Sequence, residues 1–247
     1  MPNDPALLAA VAVIFVLAGI AKGVVGLGLP TLSMGLLTLM VAPAQAATLL
    51  LAPSFATNLW QMVVGPHLRP LLRRLWPMLG GACLGTVLGA GSLTAGSKAA
   101  VAGLGVVLLL YAAVALWAPR LRVPRDVEGW LGPVIGVATG LVTGATGVFV
   151  VPAVPYLQAI GLEKDELVQA LGLSFTVSTV ALGLGLGLNG GFSSPMVLTS
   201  LLALVPAMLG MQLGQHLRTR MAPPVFRFWF LASLALLGVW LAFGSLL

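Results

Sequence analysis

Lys22 is a lone basic residue inside an apolar run, and glycines follow it. A charge deep in an apolar segment is costly and usually functional. Glycines let the backbone approach a ligand closely, and a helix beginning near Gly26 would direct unpaired N–H groups at the same point. These donors suit a small oxyanion, although the side chain could instead extend to the membrane interface from a helix that crosses fully. The predicted anion-binding residues here are Lys22, Gly23, Gly26 and Gly28.

A second glycine cluster lies in the other half of the chain. Segment 140–147 repeats the Gly-x3-Gly-x2-Gly spacing of segment 19–26, with a threonine in the place of the lysine. Hydroxyl and backbone N–H groups can bind an anion without a charge of their own, whereas the alternative is close packing of small residues between helices. The candidates in this cluster are Thr143, Gly144, Thr146 and Gly147.

Polar side chains also occur in the apolar segments that follow each cluster. Ser54 and Asn58 are four residues apart and share a helix face, as do Ser174 and Ser178. We expect them to line a substrate path; hydrogen bonds between helices are the alternative. The complete set is Thr31, Ser54, Thr57 and Asn58 in the first half and Gln169, Ser174 and Ser178 in the second.

Acidic residues are confined to the N-terminal tail and the predicted loops. No carboxylate is therefore expected at the membrane centre, which disfavours a proton relay there and disfavours cation transport. The two histidines, His67 and His216, have no Cys, Asp or Glu at ligand spacing. We expect no metal, no cofactor and no catalytic residue.

The composition is that of a helical membrane protein. Of the 247 residues, 59% are hydrophobic and 7% are charged, and the mean hydropathy is +1.08. A soluble domain carries about 25% charged residues, and a membrane β-barrel would show short alternating segments. The net charge of +6 lies in loops, so membrane topology explains it better than a nucleic-acid partner.

Ten apolar segments are predicted to be helices, and a membrane span needs roughly 20 residues. Six segments are long enough and four are shorter. The long segments are 44–64, 70–92, 98–118, 166–188, 195–217 and 224–246, and the short ones form two pairs, 7–21 with 27–42 and 129–143 with 147–159.

The two halves are predicted to be an internal duplication. Besides the glycine spacing, a Ser-Phe pair recurs at positions 54 and 174, and a Pro-x3-Gly-x3-Gly pattern recurs at positions 77 and 206. Three matches in the same order argue against chance. The predicted repeats are 1–118 and 129–247, joined by a cytoplasmic linker at 119–128.

The distribution of the basic residues distinguishes between two topologies, because basic residues are enriched on the cytoplasmic side of a membrane. If each short pair is a hairpin that returns to its starting side, nine arginines and Lys164 fall on one side of the membrane. If each pair instead crosses the membrane as one continuous helix, the arginines are divided between the two sides of the membrane. The hairpin topology makes the halves an inverted repeat, each with a hairpin of two short helices and three full spans. Both termini are then extracytoplasmic, and opposed hairpin tips lie near the midplane, as in many transporters.

Segments 21–30 and 140–155 resemble the paired glycine-rich motifs of the sulfite exporter TauE/SafE family, also called the TSUP anion permease family. The resemblance covers nearly the whole chain and implies transport of small sulfur-containing anions such as sulfite, sulfoacetate or related organic acids. Many members have an acidic residue in the first motif. With Lys22 there, this chain looks like a branch that carries a lysine.

The favoured function is a secondary transporter of small anions in a bacterial inner membrane. A passive anion channel of the same architecture is the main alternative, and a membrane enzyme or assembly subunit is a third. The expected partners are a small anion, the lipid bilayer and a possible second copy of the chain. Substrate, direction and coupling ion stay open at this point.

Overall fold

The computed structural model describes residues 5–96, 98–117, 122–192, 194–218 and 223–244. These residues form an all-α protein of ten helices, with no strand among them. The helices are α1 (Pro5–Val25), α2 (Leu29–Leu37), α3 (Pro43–Val63), α4 (Leu68–Thr94), α5 (Lys98–Trp117), α6 (Arg125–Thr146), α7 (Ala153–Ala159), α8 (Lys164–Leu188), α9 (Ser194–Arg218) and α10 (Pro223–Gly244).

Seven helices are long and apolar enough to cross a membrane, namely α1, α4, α5, α6, α8, α9 and α10. Five of the six predicted long spans are therefore confirmed. The sixth, α3, has 21 residues but a lower hydropathy, because polar side chains such as Thr57 and Asn58 interrupt it. Both are fully buried in protein, so α3 is a central helix. The chain is a multi-pass helical membrane protein.

The first arm of each predicted hairpin is longer than expected. Helices α1 and α6 have 21 and 22 residues, whereas the second arms, α2 and α7, have nine and seven. The prediction of two short arms per pair is therefore wrong for α1 and α6. Glycine weakens an isolated helix, but the glycines in the last turns of α1 and α6 pack against other helices. Their helical conformation continues to Val25 and Thr146.

Glycines form the closest contacts between helices. Helix α1 packs along α9, and α6 packs along α4. A methyl group on Gly19 would lie 2.9 Å from Met211 N, and one on Gly140 would lie 2.6 Å from Thr86 N. Membrane helices approach this closely only where residues are small. The packing role predicted for the glycines of α4 and α9 is confirmed for Gly81, Gly85, Gly89, Gly210 and Gly214.

The same contacts correct the predicted alignment of α4 with α9. Gly19 opposes Gly210, and Gly140 opposes Gly85. Since Gly19 and Gly140 are equivalent in the repeat, the counterpart of Gly210 is Gly85 and not Gly81. The predicted match of Gly81 with Gly210 is therefore wrong by one helical turn, and the match of Pro77 with Pro206 is wrong for the same reason. A glycine every four residues repeats along one helix face, so the sequence alone does not choose between adjacent turns.

Helices α3 and α8 run antiparallel at the centre of the protein. Gly172 lies against Met62, and Gly183 lies against Leu51. Residue numbers therefore increase along α8 in the direction in which they decrease along α3. In the register that these contacts set, residues 54–58 of α3 are level with about residues 176–180 of α8. The polar residues that follow the two glycine clusters therefore lie within about two helical turns of one another along the two helices.

Helices α5 and α10 are also antiparallel, since Gly105 lies against Ala242 and Arg227 donates to Ala115 O at 3.0 Å. By contrast, the glycine contacts show α1 parallel to α9 and α4 parallel to α6. These four relative directions agree with the hairpin topology. If each pair crossed the membrane as one continuous helix, α3 would be parallel to α8, and α5 would be parallel to α10. The inverted repeat stays a prediction that these directions favour.

The hydrogen bonding of α3 changes at Pro53. Proline has no N–H, so Leu49 O loses its helical partner. Ser200 of α9 replaces it, because its hydroxyl donates to Leu49 O at 2.8 Å and accepts from Ala52 N at 3.1 Å. Helix α3 is thereby joined to α9 just before the level of Ser54.

Candidate functional site

Two glycines with positive φ shape the tip of the first hairpin. Gly26 has φ of 81° and Gly28, the N-cap of α2, has φ of 107°. The N–H of Gly26 donates to Lys22 O at 2.7 Å and closes the last turn of α1. A side chain at either position would be strained in this conformation. No atom lies within 4 Å of the place where a Cβ of Gly26 would stand, so this part of the tip is open.

Lys22 lies in the last turn of α1 and is buried, with 4% of its surface exposed. Its Nζ donates a hydrogen bond to Oδ1 of Asn58 on α3. No other charged residue is buried in the ranges that the structure describes, and the ion pairs found there, at His67 and Arg74, do not involve the lysine. An ammonium group has three donors, so two remain after the bond to Asn58.

A cavity of about 1190 Å³ leads from Lys22 to the protein surface. Gly26 and Thr57 also line its inner part. The charged side chains among its described lining residues are all basic, and a cleft lined by one sign of charge concentrates ions of the other sign. Besides Lys22 they are the exposed residues Arg122, Lys164, Arg218 and Arg227.

Five buried polar atoms have no hydrogen-bond partner among the described residues. Leaving such a group unsatisfied costs roughly 1–3 kcal/mol, so several of them near one another indicate a place for a polar ligand. Four lie on the facing helices α3 and α8, and the fifth lies in the first turn of α2. They are Thr31 Oγ1, Ser54 Oγ, Asn58 Nδ2, Ser174 Oγ and Ser178 Oγ, all of which belong to residues predicted from the sequence.

At the tip of the second hairpin, both threonine hydroxyls donate to nearby backbone carbonyls. Thr143 Oγ1 donates to Val148 O at 3.2 Å, and Thr146 Oγ1 donates to Val142 O at 2.7 Å. A hydroxyl group has one hydrogen, so neither threonine retains a donor for an anion. Neither residue lines the cavity. The prediction that they bind an anion gains no support from this arrangement.

Three predicted binding glycines lie where helices pack. A methyl group on Gly23 would lie 2.8 Å from Gly214 Cα, and one on Gly144 would lie 2.7 Å from Ala90 N. Gly147 has φ of 71° and its missing side chain leaves room for the Met34 sulfur, 2.9 Å from an added Cβ. Of the three, Gly23 also lines the cavity.

Two glutamines connect α3 and α8 near the cavity. Gln169 was a predicted lining residue, yet its amide is fully engaged: it donates to Met62 O at 2.8 Å and Gly65 O at 3.0 Å and accepts from His67 N at 2.9 Å. Its role is to hold the turn between α3 and α4.

Gln61 was missed by sequence reasoning. Its Nε2 donates to Val168 O at 2.9 Å and lies 3.4 Å from Gly26 O, and its side chain lines the cavity. It therefore ties the first hairpin tip to α8. Its position three residues after Asn58, on an adjoining part of the same helix face, was the available signal.

The fold, with seven helices able to cross a membrane, defines a polytopic membrane protein. A family model described as Sulfite exporter TauE/SafE matches residues 11–241, nearly the whole chain. The chain therefore belongs to the TauE/SafE family, which is a family of membrane transporters and not of enzymes. No curated protein and no solved structure gave a significant match.

Proposed function

We propose that this protein is a secondary transporter of small anions and that Lys22 supplies the positive charge of its binding site. The observation that carries the proposal is a buried ammonium with no carboxylate partner in the described chain, at the inner end of a cavity whose charged lining is basic. Leaving a charge buried and unpaired is expensive. An anionic substrate would provide the missing counter-charge.

The remaining donors of the proposed site lie on α2, α3 and α8, and Asn58 is in contact with the lysine. Asn58 Nδ2 and the hydroxyls of Thr31, Ser54, Ser174 and Ser178 are buried and unpartnered. Together with the N-terminus of α2, these groups match the several acceptor oxygens of a sulfur oxyanion or a sulfonate. Sulfite, which the description of the family names, and small organic sulfonates are accordingly the proposed substrates.

The proposed setting is a bacterial inner membrane, with the cavity open to the cytoplasm. The four exposed basic residues at its mouth support this orientation, because basic residues are enriched on the cytoplasmic side. Both termini would then be extracytoplasmic. The antiparallel pairs α3 with α8 and α5 with α10 support an inverted repeat, in which an equivalent opening could form on the other side.

Uptake of labelled sulfite by liposomes containing the purified protein tests this function. We expect Lys22→Gln to reduce uptake by a factor on the order of a hundred or more, since it removes the counter-charge in a buried site. The matched control is Lys98→Gln, which neutralises an exposed lysine at the start of α5. Uptake by folded Lys22→Gln equal to that of the wild type would contradict the role of Lys22.

Counterflow distinguishes a transporter from a channel. Liposomes preloaded with unlabelled sulfite should transiently accumulate labelled sulfite above its external concentration if the protein exchanges bound substrate. A passive channel would only let the label equilibrate. This readout requires no knowledge of the coupling ion.

A further inference from the structure

The buried charge at the proposed site is a single one. Lys22 is the one charged side chain that is buried in the described ranges, whereas the other basic residues that line the cavity are exposed. An anion that moves past Lys22 toward the level of Ser54 and Ser178 leaves those exposed cations behind. Its charge must then be compensated by one ammonium group.

The other ligands available at that level are neutral. They comprise four hydroxyl groups and one carboxamide nitrogen, on α2, α3 and α8. Neutral donors can orient oxygens, but they do not cancel a net charge in a medium of low dielectric constant. A substrate with one negative charge would make the occluded complex with Lys22 neutral, and a dianion would leave an uncompensated charge.

We propose, on the basis of the transport function above, that the occluded substrate carries a single negative charge. A sulfonate without a second acidic group, such as methanesulfonate, satisfies this at any neutral pH, whereas sulfoacetate, which also carries a carboxylate, does not. Sulfite satisfies it as hydrogen sulfite, whose proton titrates near neutrality, and sulfate does not satisfy it. The inference concerns the charge class of the substrate, which neither the family nor the shape of the cavity decides.

Few titratable groups surround the site. Because a change in their protonation could also alter transport, a test of pH dependence needs a second anion whose own charge does not change with pH. The cavity near Lys22 is also lined by Tyr111 of α5, Arg122 of the linker, Lys164 of α8, Arg218 of α9 and Arg227 of α10. No titratable residue occurs in α2 or α3. A change of protonation in the protein would affect every anion, whereas a change in sulfite would affect sulfite alone.

Methanesulfonate and sulfate provide the decisive pair, because both are tetrahedral and a methyl group in one replaces an oxygen in the other. In wild-type liposomes at neutral pH, we expect methanesulfonate to inhibit uptake of labelled sulfite. Sulfate should need a concentration on the order of a hundred times higher, reflecting the cost of an unpaired buried charge. As pH rises through the titration of hydrogen sulfite, uptake of sulfite should fall relative to uptake of labelled methanesulfonate, because methanesulfonate reports any change in the protein itself.

Two results would overturn the inference. The first is inhibition by sulfate at the same concentration as methanesulfonate, and the second is sulfite uptake that stays level or rises with pH relative to methanesulfonate uptake. In either case the protein still transports an anion, so the proposed function stands. Failure of that function has a different signature, namely no protein-dependent uptake of sulfite or of methanesulfonate.

Discussion

The first arms of the two hairpins end in the same backbone hydrogen bond and carry different chemistry at that point. In each, a glycine N–H donates to a carbonyl four residues earlier at 2.7 Å, from Gly26 to Lys22 and from Gly147 to Thr143. At the first tip the side chain at the equivalent position is an ammonium beside a cavity. At the second tip it is a hydroxyl that donates to its own turn. In the predicted repeat, the glycines at these helix ends are thus shared, while the side chains at the equivalent positions differ.

Moving the charge from one tip to the other should have the largest effect. We expect the double variant Lys22→Thr with Thr143→Lys to lose sulfite uptake by a factor on the order of a hundred or more, because the cavity reaches Lys22 and not Thr143. Thr143→Val alone is the comparison. It removes one local hydrogen bond worth about 1 kcal/mol and should lower thermal stability slightly while retaining uptake. Full uptake by the double variant would show that the tips are interchangeable.

A carboxylate next to Lys22 should compete with the substrate. Asn58→Asp is nearly isosteric and would pair the ammonium that Asn58 Oδ1 now accepts from. We expect uptake to fall by roughly tenfold to a hundredfold, with thermal stability retained because the buried charge gains a partner. Ser178→Asp, at the predicted equivalent position of the second half, should destabilise the protein, since Ser178, unlike Asn58, has no hydrogen bond to Lys22 in the described chain. Undiminished uptake by Asn58→Asp would argue against Lys22 as the anion's counter-charge.

The shared glycines predict equal effects in the two halves. Gly19→Ala and Gly140→Ala each place a methyl group against the backbone of the partner helix, and we expect each to destabilise the protein by about 1–3 kcal/mol. Gly80→Ala on α4 is the control, because no atom lies within 4 Å of its added Cβ. That variant should be neutral or more stable by up to about 1 kcal/mol. Thermal unfolding in detergent measures all three, and a large difference between Gly19→Ala and Gly140→Ala would contradict the equivalence of the two crossings.

The smallest effect is expected at the mouth of the cavity. Arg218→Gln removes one exposed cation that lines the cavity, and it should raise the KM for sulfite a few-fold at low ionic strength and less at high salt. Arg73→Gln neutralises an exposed arginine outside this cavity and should leave the KM unchanged. An equal effect of both variants would assign the change to overall charge and not to the cavity.

The sequence was sufficient to predict the polar groups of the site. Thr31, Ser54, Asn58, Ser174 and Ser178 stand out as polar residues within apolar helices, and the structure leaves a polar atom of each without a partner. Their function as a binding site is still a prediction. These residues could be identified from the sequence because polar residues are rare in apolar helices, where each one requires a polar partner or a function.

The remaining features depend on contacts between distant segments. Whether Thr143 donates to its own turn or to a ligand is decided by where the following loop places Val148 O. Whether Gly23 and Gly144 face a ligand or a neighbouring helix is decided by how α1 and α6 cross α9 and α4. Helices α1 and α6 continue through their glycines for the same reason, since packing outweighs intrinsic helix propensity.

The bond between Ser200 and the backbone of α3 has a mechanical consequence. Because Ser200 both donates to Leu49 O and accepts from Ala52 N, these bonds hold the part of α3 that precedes Pro53 to α9. Helix α9 in turn lies along α1, the helix that bears Lys22. We therefore expect the first part of α3 to move together with α9 and α1, whereas the part after Pro53, which carries Asn58, can tilt relative to the lysine.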